Sequence, residues 1–134
     1  MKKVSLFFWS VRIISALIML QTLFYKFTGA PESVAIFTEL GIEPVGRIGS
    51  GVVELVASIL ILIPSTVWLG SILALGTMGG AIISHIAVLG ILRDDGGYLF
   101  FLAVIVFICS AISFWLSRKS IPTAIQKYLP SFLK

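Results

Sequence analysis

Four long apolar stretches, separated by short polar segments, dominate the pattern along the chain. They cover about residues 6–27, 46–63, 67–89 and 99–116. Each is close to the roughly 20 apolar residues that a helix needs to cross a bilayer. Gly29 and Pro31 end the first stretch, and Pro64 begins a tight turn between the second and the third. The pattern predicts an all-α fold, a four-helix transmembrane bundle.

Polar residues inside these stretches recur at helical spacing. In the first stretch Arg12, Ser15, Thr22 and Lys26 fall on one stripe. The stripe is expected to face the bundle, although Arg12, about two turns from the start, can also snorkel to the near membrane surface. In the second stretch Glu54 is flanked, one helical turn away, by small residues that allow close helix packing: Ser50, Gly51, Ala57 and Ser58.

Two further segments are too short to span. Residues 31–44 contain apolar positions on one helical face and three glutamates, which predicts a short interfacial helix; a solvated loop is the alternative. Residues 120–134 place Ile121, Ile125 and Leu129 four apart, which predicts an amphipathic cytoplasmic tail on the membrane surface. We therefore divide the chain into a membrane domain, residues 1–119, and a tail, residues 120–134.

Composition agrees with a membrane protein. The chain is 58% hydrophobic and 12% charged, whereas soluble domains average about 45–50% apolar and about 25% charged residues. The net charge of +4 comes from residues that flank the apolar stretches and form no basic block, so nucleic-acid binding is not expected. The single cysteine, Cys109, excludes an internal disulfide and a C-x-x-C redox motif.

Loop charges predict the orientation. With four spans both termini lie on one side, and that side carries an excess of basic residues: Lys2, Lys3, Arg118, Lys119, Lys127 and Lys134. The other side holds Lys26, Arg47 and Arg93, diluted by five acids. The positive-inside rule then places both termini in the cytoplasm.

The same topology brings three ionisable residues to similar depth. Lys26 closes the first span, Glu54 lies about two turns into the second and His85 about one turn before the end of the third. At ~1.5 Å per residue they fall within about 10 Å of one another in depth, and Arg47 can approach from the rim. Two interpretations stay open: Glu54 pairs with Lys26 or His85 to hold the helices in register, or the cluster binds a polar head group or exchanges protons.

Other kinds of site have less support. One histidine and scattered carboxylates do not form a spaced set of metal ligands. No serine or cysteine is arranged around His85 as in a catalytic triad. Gly76, Gly80 and Ser84 form a small-residue seam for helix packing, either within the chain or in a homo-oligomer.

Several of these residues together resemble the DoxX/DoxD family of small four-helix membrane proteins. The shared features are Arg12, the run Tyr25-Lys26-Phe27-x-Gly29, the segment from Phe37 to Gly41 before Ile42-x-Pro44, Glu54-Leu55, Met78, His85 and Asp95-Gly96-Gly97. The resemblance covers roughly residues 8–116 and excludes the tail. It implies a bacterial inner-membrane protein with a link to quinone-dependent redox chemistry. Quinone binding would then fall to Lys26, Glu54 and His85.

The sequence contains no haem ligand pair, flavin motif, iron–sulfur motif or cysteine pair, so independent oxidoreductase activity is not expected. The first hypothesis for function is a non-catalytic, redox-associated or quinone-binding accessory subunit. The alternatives are a binding or carrier protein for lipid or another small amphiphile, using the same pocket, and an assembly factor that contacts a redox or other membrane protein.

Overall fold

The computed structural model describes residues 2–92 and 96–133, with side chains from residue 5 onward. Some residues of the loop-charge argument and of the Asp95-Gly96-Gly97 motif lie outside the described residues: Arg93, Asp94, Asp95, Lys134 and the side chains of Lys2 and Lys3. Within them the α-helices are α1 (Lys2–Phe27), α2 (Pro31–Glu39), α3 (Val45–Leu62), α4 (Val67–Ser84), α5 (Tyr98–Ser117) and α6 (Thr123–Gln126). A π-helical turn, His85–Leu89, continues α4.

The predicted four-helix bundle is confirmed. α1, α3, α4 with its π-helical turn, and α5 are each long and apolar enough to cross a membrane. They alternate in direction around a shared core of small and medium-sized side chains: Met19, Ala57, Ala74, Met78, Ala103 and Val106. Large apolar side chains such as Leu6, Phe24 and Ile83 point outward and are exposed. An apolar exterior around a helical bundle is typical of a protein that sits in a lipid bilayer.

The bundle has two ends of different composition. The α2 end carries α2, the last turn of α1 and the first turns of α3. The terminal end holds the start of α1, the turn between α3 and α4, and the tail. At the α2 end, the segment after Pro31 forms the short helix that we predicted, with Ser33 and Ile36 buried. At the terminal end, Pro122 precedes the single turn of α6, and a 3-10 turn follows at Ser131–Leu133.

Arg12 faces the interior of the bundle instead of snorkelling to the surface. Only 2% of it is exposed. Its Nε donates to the carbonyl oxygen of Ile61 at 2.8 Å, and its terminal nitrogen Nη2 donates to the carbonyl oxygen of Leu62 at 2.9 Å. The last carbonyls of a helix have no partner within the helix and carry its negative dipole end. Arg12 therefore caps α3, and the ring of Trp9, 3.8 Å from the guanidinium carbon, covers it.

We expect Arg12→Leu to destabilise the bundle by about 2–4 kcal/mol, because charge-assisted hydrogen bonds contribute about 1.5–3 kcal/mol each and the two carbonyls would lose their donors. Lys119→Leu, which removes an exposed cation near the same end, should change stability by less than about 0.5 kcal/mol. Thermal unfolding of both variants in mild detergent checks this. Equal midpoints for the two would contradict a capping role for Arg12.

The close helix contact lies at Gly70, not at the predicted seam. A Cβ atom added to Gly70 would stand 2.6 Å from the backbone nitrogen of Ile61 and 2.8 Å from the carbonyl oxygen of Ala57. At Gly76 and Gly80 nothing lies within 4 Å of such an atom. Both of those glycines are exposed, and Ser84 donates to the carbonyl of Gly80 within α4. The two glycines of the seam therefore make no close packing contact with the described part of the chain, and packing of the seam in a homo-oligomer stays a prediction.

Gly70 and Gly76 provide a matched pair of substitutions in one helix, α4. Gly70→Ala should cost about 1–3 kcal/mol, since α3 and α4 must separate to admit the methyl group. Gly76→Ala should leave stability unchanged or raise it by up to about 1 kcal/mol, because alanine is the better helix former. Unfolding midpoints measured side by side decide the matter, and a larger loss for Gly76→Ala would place the close contact elsewhere.

Three serines of α5 are buried in the interior of the bundle: Ser110, Ser113 and Ser117. Ser117 donates to the carbonyl of Ser113 in its own helix. The hydroxyls of Ser110 and Ser113 are buried without a hydrogen-bond partner in the described residues. Their small volume, more than their polarity, accounts for their place in the interior of the bundle.

Candidate functional site

A cavity of about 580 Å³ opens inside the α2 end of the bundle. Ligand pockets typically enclose about 300–1,000 Å³. Much of its wall is apolar, with Met19, Ile36, Met78 and Leu102 among the lining residues. Its polar lining comes from several helices: Gln21, Thr22, Tyr25, Lys26, Glu32, Ser33, Glu54, His85 and Tyr98. The chamber can therefore surround an apolar body and hydrogen-bond a polar head.

Lys26 and Glu54 form an ion pair on this wall. The Nζ atom of Lys26 lies 2.5 Å from Oε1 of Glu54, and the two side chains are 16% and 2% exposed. Thr22 donates to the carbonyl of Met19, and its hydroxyl lies 3.5 Å from Oε2 of Glu54. A carboxylate this deep in a spanning helix is tolerated because the ammonium group of Lys26 compensates its charge.

Local packing brings the two charges together. A Cβ atom at Gly51 would stand 2.8 Å from Cε1 of Phe27, so only glycine lets this ring settle against α3 one turn from Glu54. The ring of Phe37, on α2, lies near the ammonium group, with 5.8 Å between Nζ of Lys26 and the ring centroid. A cation near an aromatic face gains electrostatic stabilisation. α2 thus contributes directly to the surroundings of the pair.

His85 lies where α4 changes into its π-helical turn. It is 6% exposed, and its Nδ1 is 2.9 Å from the carbonyl oxygen of Ala81. The Nε2 atom is buried and has no hydrogen-bond partner among the residues that the structure describes. Isolated π-helical turns are rare and are frequently found at functional sites. His85 therefore lines the cavity and leaves one buried ring nitrogen without a protein partner in the described part of the chain.

Arg47 is not part of the cavity wall. Its Nε donates to Oε1 of Glu43 at 2.9 Å, and one terminal nitrogen donates to the backbone carbonyl of Lys26. It thereby joins the end of α1 to the start of α3 and positions the Lys26 backbone. The predicted packing residues Arg12, Gly76, Gly80 and Ser84 also lie outside the cavity lining. Of the predicted ligand-binding residues, the structure brings Lys26, Glu54 and His85 to one cavity.

Several lining residues were absent from the sequence-based site. Gln21 and Tyr25 lie on α1, and Nε2 of Gln21 is 3.4 Å from the hydroxyl of Tyr98 at the start of α5. Gln21 and Tyr25 are four residues apart, a helical spacing that could have placed them together on one face. Tyr98 follows a glycine turn and carries no comparable signal in the sequence.

In the described part of the chain, no group of three or more histidine, cysteine or acidic side chains is placed to hold a metal ion. The side chains that line the cavity can form hydrogen bonds, ion pairs and aromatic contacts. Such groups can bind and orient a small molecule.

We expect Lys26→Met to destabilise the protein by about 3–5 kcal/mol, because it leaves the buried carboxylate of Glu54 without its partner. Glu54→Gln should cost less, since Lys26 is the more exposed partner and can reach toward the surface. The double variant should recover most of the loss. Unfolding midpoints in detergent check all three, and a double variant whose losses simply add would show that the charges do not stabilise each other.

The comparisons with known proteins bear on the same region. The DoxX family model matches residues 8–87, more than half of the chain. The match runs from α1 into the π-helical turn, so it includes Lys26, Glu54 and His85. The comparisons with curated proteins and with solved structures gave no match. On the strength of the family match, the chain belongs to the DoxX family.

Proposed function

We propose that this integral membrane protein binds a quinone in the cavity at the α2 end and serves as a non-catalytic, redox-associated accessory subunit. One observation carries the proposal. Polar groups from α1, α3 and α4 meet inside a chamber whose remaining wall is largely apolar. That combination suits a ring with oxygen substituents on an apolar skeleton.

The lining offers contacts for each part of such a molecule. Lys26 uses one of its three donors on Glu54 and has others for a ring oxygen. Tyr25, Phe37 and Tyr98 supply aromatic surfaces for the ring. With one cysteine in the whole chain, the sequence offers neither a dithiol nor a set of cysteine ligands for an iron–sulfur cluster. A partner protein would therefore deliver or accept the electrons.

A lipid or another small amphiphile is the alternative occupant. The cavity charges argue against an anionic head group, because Glu54 already neutralises Lys26 and Glu32 adds a further carboxylate to the wall. A phosphate or carboxylate head would meet no unpaired cation among the lining residues of the described chain. A neutral, oxygen-bearing head such as a quinone ring avoids that cost.

The proposal also includes the cellular location. We place the protein in a bacterial inner membrane with both termini in the cytoplasm. Arg118, Lys119 and Lys127 support this orientation because all three belong to the terminal end. The acidic Glu32 and Glu43 lie at the α2 end, so the cavity would be close to the outer surface of that membrane.

Native mass spectrometry of protein extracted in mild detergent tests the proposal. The wild type should carry a molecule of quinone mass, and Glu54→Gln should lower its occupancy about tenfold, since the variant changes the polar end of the cavity. Lys119→Gln removes a charge far from the cavity and should keep full occupancy. A phospholipid mass on the wild type would favour the alternative. Failure of added short-tailed benzoquinone to bind would contradict quinone binding.

A further inference from the structure

The exposure of the lining residues indicates where the cavity opens. Most of the described lining residues are buried or half-buried, whereas five are exposed: Gln21, Tyr25, Pro31, Glu32 and Tyr98. These five belong to α1, α2 and α5, and in the described chain no exposed lining residue comes from α3 or α4. The five exposed residues therefore mark one opening, here called the mouth, where α1 and α5 lie side by side next to α2.

The mouth extends well into the membrane-spanning part of the bundle. Gln21 lies six residues before Phe27, the last residue of α1, which is about 9 Å at ~1.5 Å per residue. Ile18, one turn deeper in α1, and Leu102, one turn into α5, also line the cavity and are half-buried. Both helices are long and apolar enough to cross a hydrocarbon core of about 30 Å. The deep rim of the mouth therefore lies at the level of the lipid chains.

The residues around the mouth change in character with depth. Glu32, at the start of α2, brings a carboxylate to the shallow rim. Tyr25 and Tyr98, which are 50% and 53% exposed, carry a hydroxyl on an apolar ring, a type of side chain enriched where membrane meets water. The deep rim, with Ile18 and Leu102, is apolar. A molecule in the mouth would thus meet polar groups near the interface and hydrocarbon further down.

One hydrogen bond spans the mouth from α1 to α5. Nε2 of Gln21 lies 3.4 Å from the hydroxyl of Tyr98, and the contact is exposed. Hydrogen bonds from an N–H to an oxygen usually measure about 2.7–3.2 Å, so this one is long and weak. On the opposite side of the cavity the Lys26–Glu54 pair joins α1 to α3 at 2.5 Å. The Gln21–Tyr98 bond can therefore break, and the mouth widen, while that pair stays intact.

We infer that the cavity is entered sideways from the lipid, through the mouth between α1 and α5, and that its ligand is a tailed amphiphile whose polar ring lies inside while its apolar chain stays in the mouth. Lys26 and Thr22 offer polar contacts inside, and Ile18 and Leu102 flank the chain. The inference rests on the proposed function, and it adds the route of entry and the class of ring compound that fits.

The direction of the mouth can be tested on the empty protein. A nitroxide spin label is attached to Gln21→Cys in a Cys109→Ala background, which removes the single native thiol. Electron paramagnetic resonance in phospholipid nanodiscs then compares collisions of the label with oxygen, which dissolves in hydrocarbon, and with a water-soluble nickel chelate. Oxygen should reach the Gln21 label more readily, whereas a label at Lys119→Cys, exposed at the terminal end, should favour the chelate. A Gln21 label that favours the chelate would overturn the inference.

A quinone with a chain tests where the chain lies. Excess decyl-benzoquinone should lower both the oxygen collisions and the mobility of the Gln21 label, because the decyl chain fills the mouth. Leu20→Cys is the matched control: Leu20 is the preceding residue of α1, is 38% exposed and lies outside the cavity lining. A label there should not respond. Methyl-benzoquinone, which has no long chain, should leave the Gln21 label unchanged.

Calorimetric titration of the unlabelled wild type with both quinones separates the two claims. If the quinones bind but decyl-benzoquinone leaves the Gln21 label unchanged, or alters the Leu20 label equally, the inference fails and the proposed function stands. If neither quinone binds, the proposed function fails, and the placement of the chain fails with it. Tyr98→Cys, on the other side of the mouth, should give the same responses as Gln21→Cys and decides the question should that variant not fold.

Discussion

The buried ion pair between Lys26 and Glu54 is the constraint on which the rest of the α2 end depends. A lone charge at the centre of a spanning helix costs about 2.5–3.5 kcal/mol on insertion scales. Glu54 therefore needs Lys26, whose Nζ lies 2.5 Å from its Oε1, and this requirement fixes the register of α1 against α3. Gly51 allows the approach, and Arg47 secures it by donating to the carbonyl of Lys26. The cavity forms beside a junction that is already fixed.

A second cation of α1 performs the corresponding task at the terminal end. Arg12 bonds to the final carbonyls of α3, about 21 Å from Lys26 along α1 at ~1.5 Å per residue. α1 is thus tied to α3 at two distant points, both through polar contacts inside an apolar bundle. On the other side of α3, Gly70 lets α4 pack closely against the same helix. These polar ties keep the charged side chains of Arg12 and Glu54 off the lipid-facing surface, since each is only 2% exposed.

The sequence predicted the spans well because bilayer thickness imposes a length and a hydropathy that are visible in any window of the chain. It also brought Lys26, Glu54 and His85 to similar depth, since helical rise converts residue number into depth. It could not identify the packing glycine, because Gly70 and Gly76 are equally small and only the neighbouring backbone distinguishes them. The capping role of Arg12 could not be predicted either, because hydropathy does not reveal that unsatisfied carbonyls of α3 lie beside it. The hydrogen bond between Nδ1 of His85 and the carbonyl oxygen of Ala81 depends on the orientation of the ring, which no sequence pattern encodes.

The electrostatics of the cavity suit a ligand that arrives from the lipid phase. A site with an unpaired cation would attract anions from water and would be costly to maintain among apolar helices. Here Glu54 neutralises Lys26, Glu32 adds a carboxylate to the wall, and the lining residue His85 has an Nε2 without a hydrogen-bond partner among the described residues. A neutral ligand with an apolar skeleton can then enter without a counter-ion and lose little hydration on binding. For the ligand that we propose, directional hydrogen bonds to these polar groups would add selectivity to the burial of its apolar skeleton.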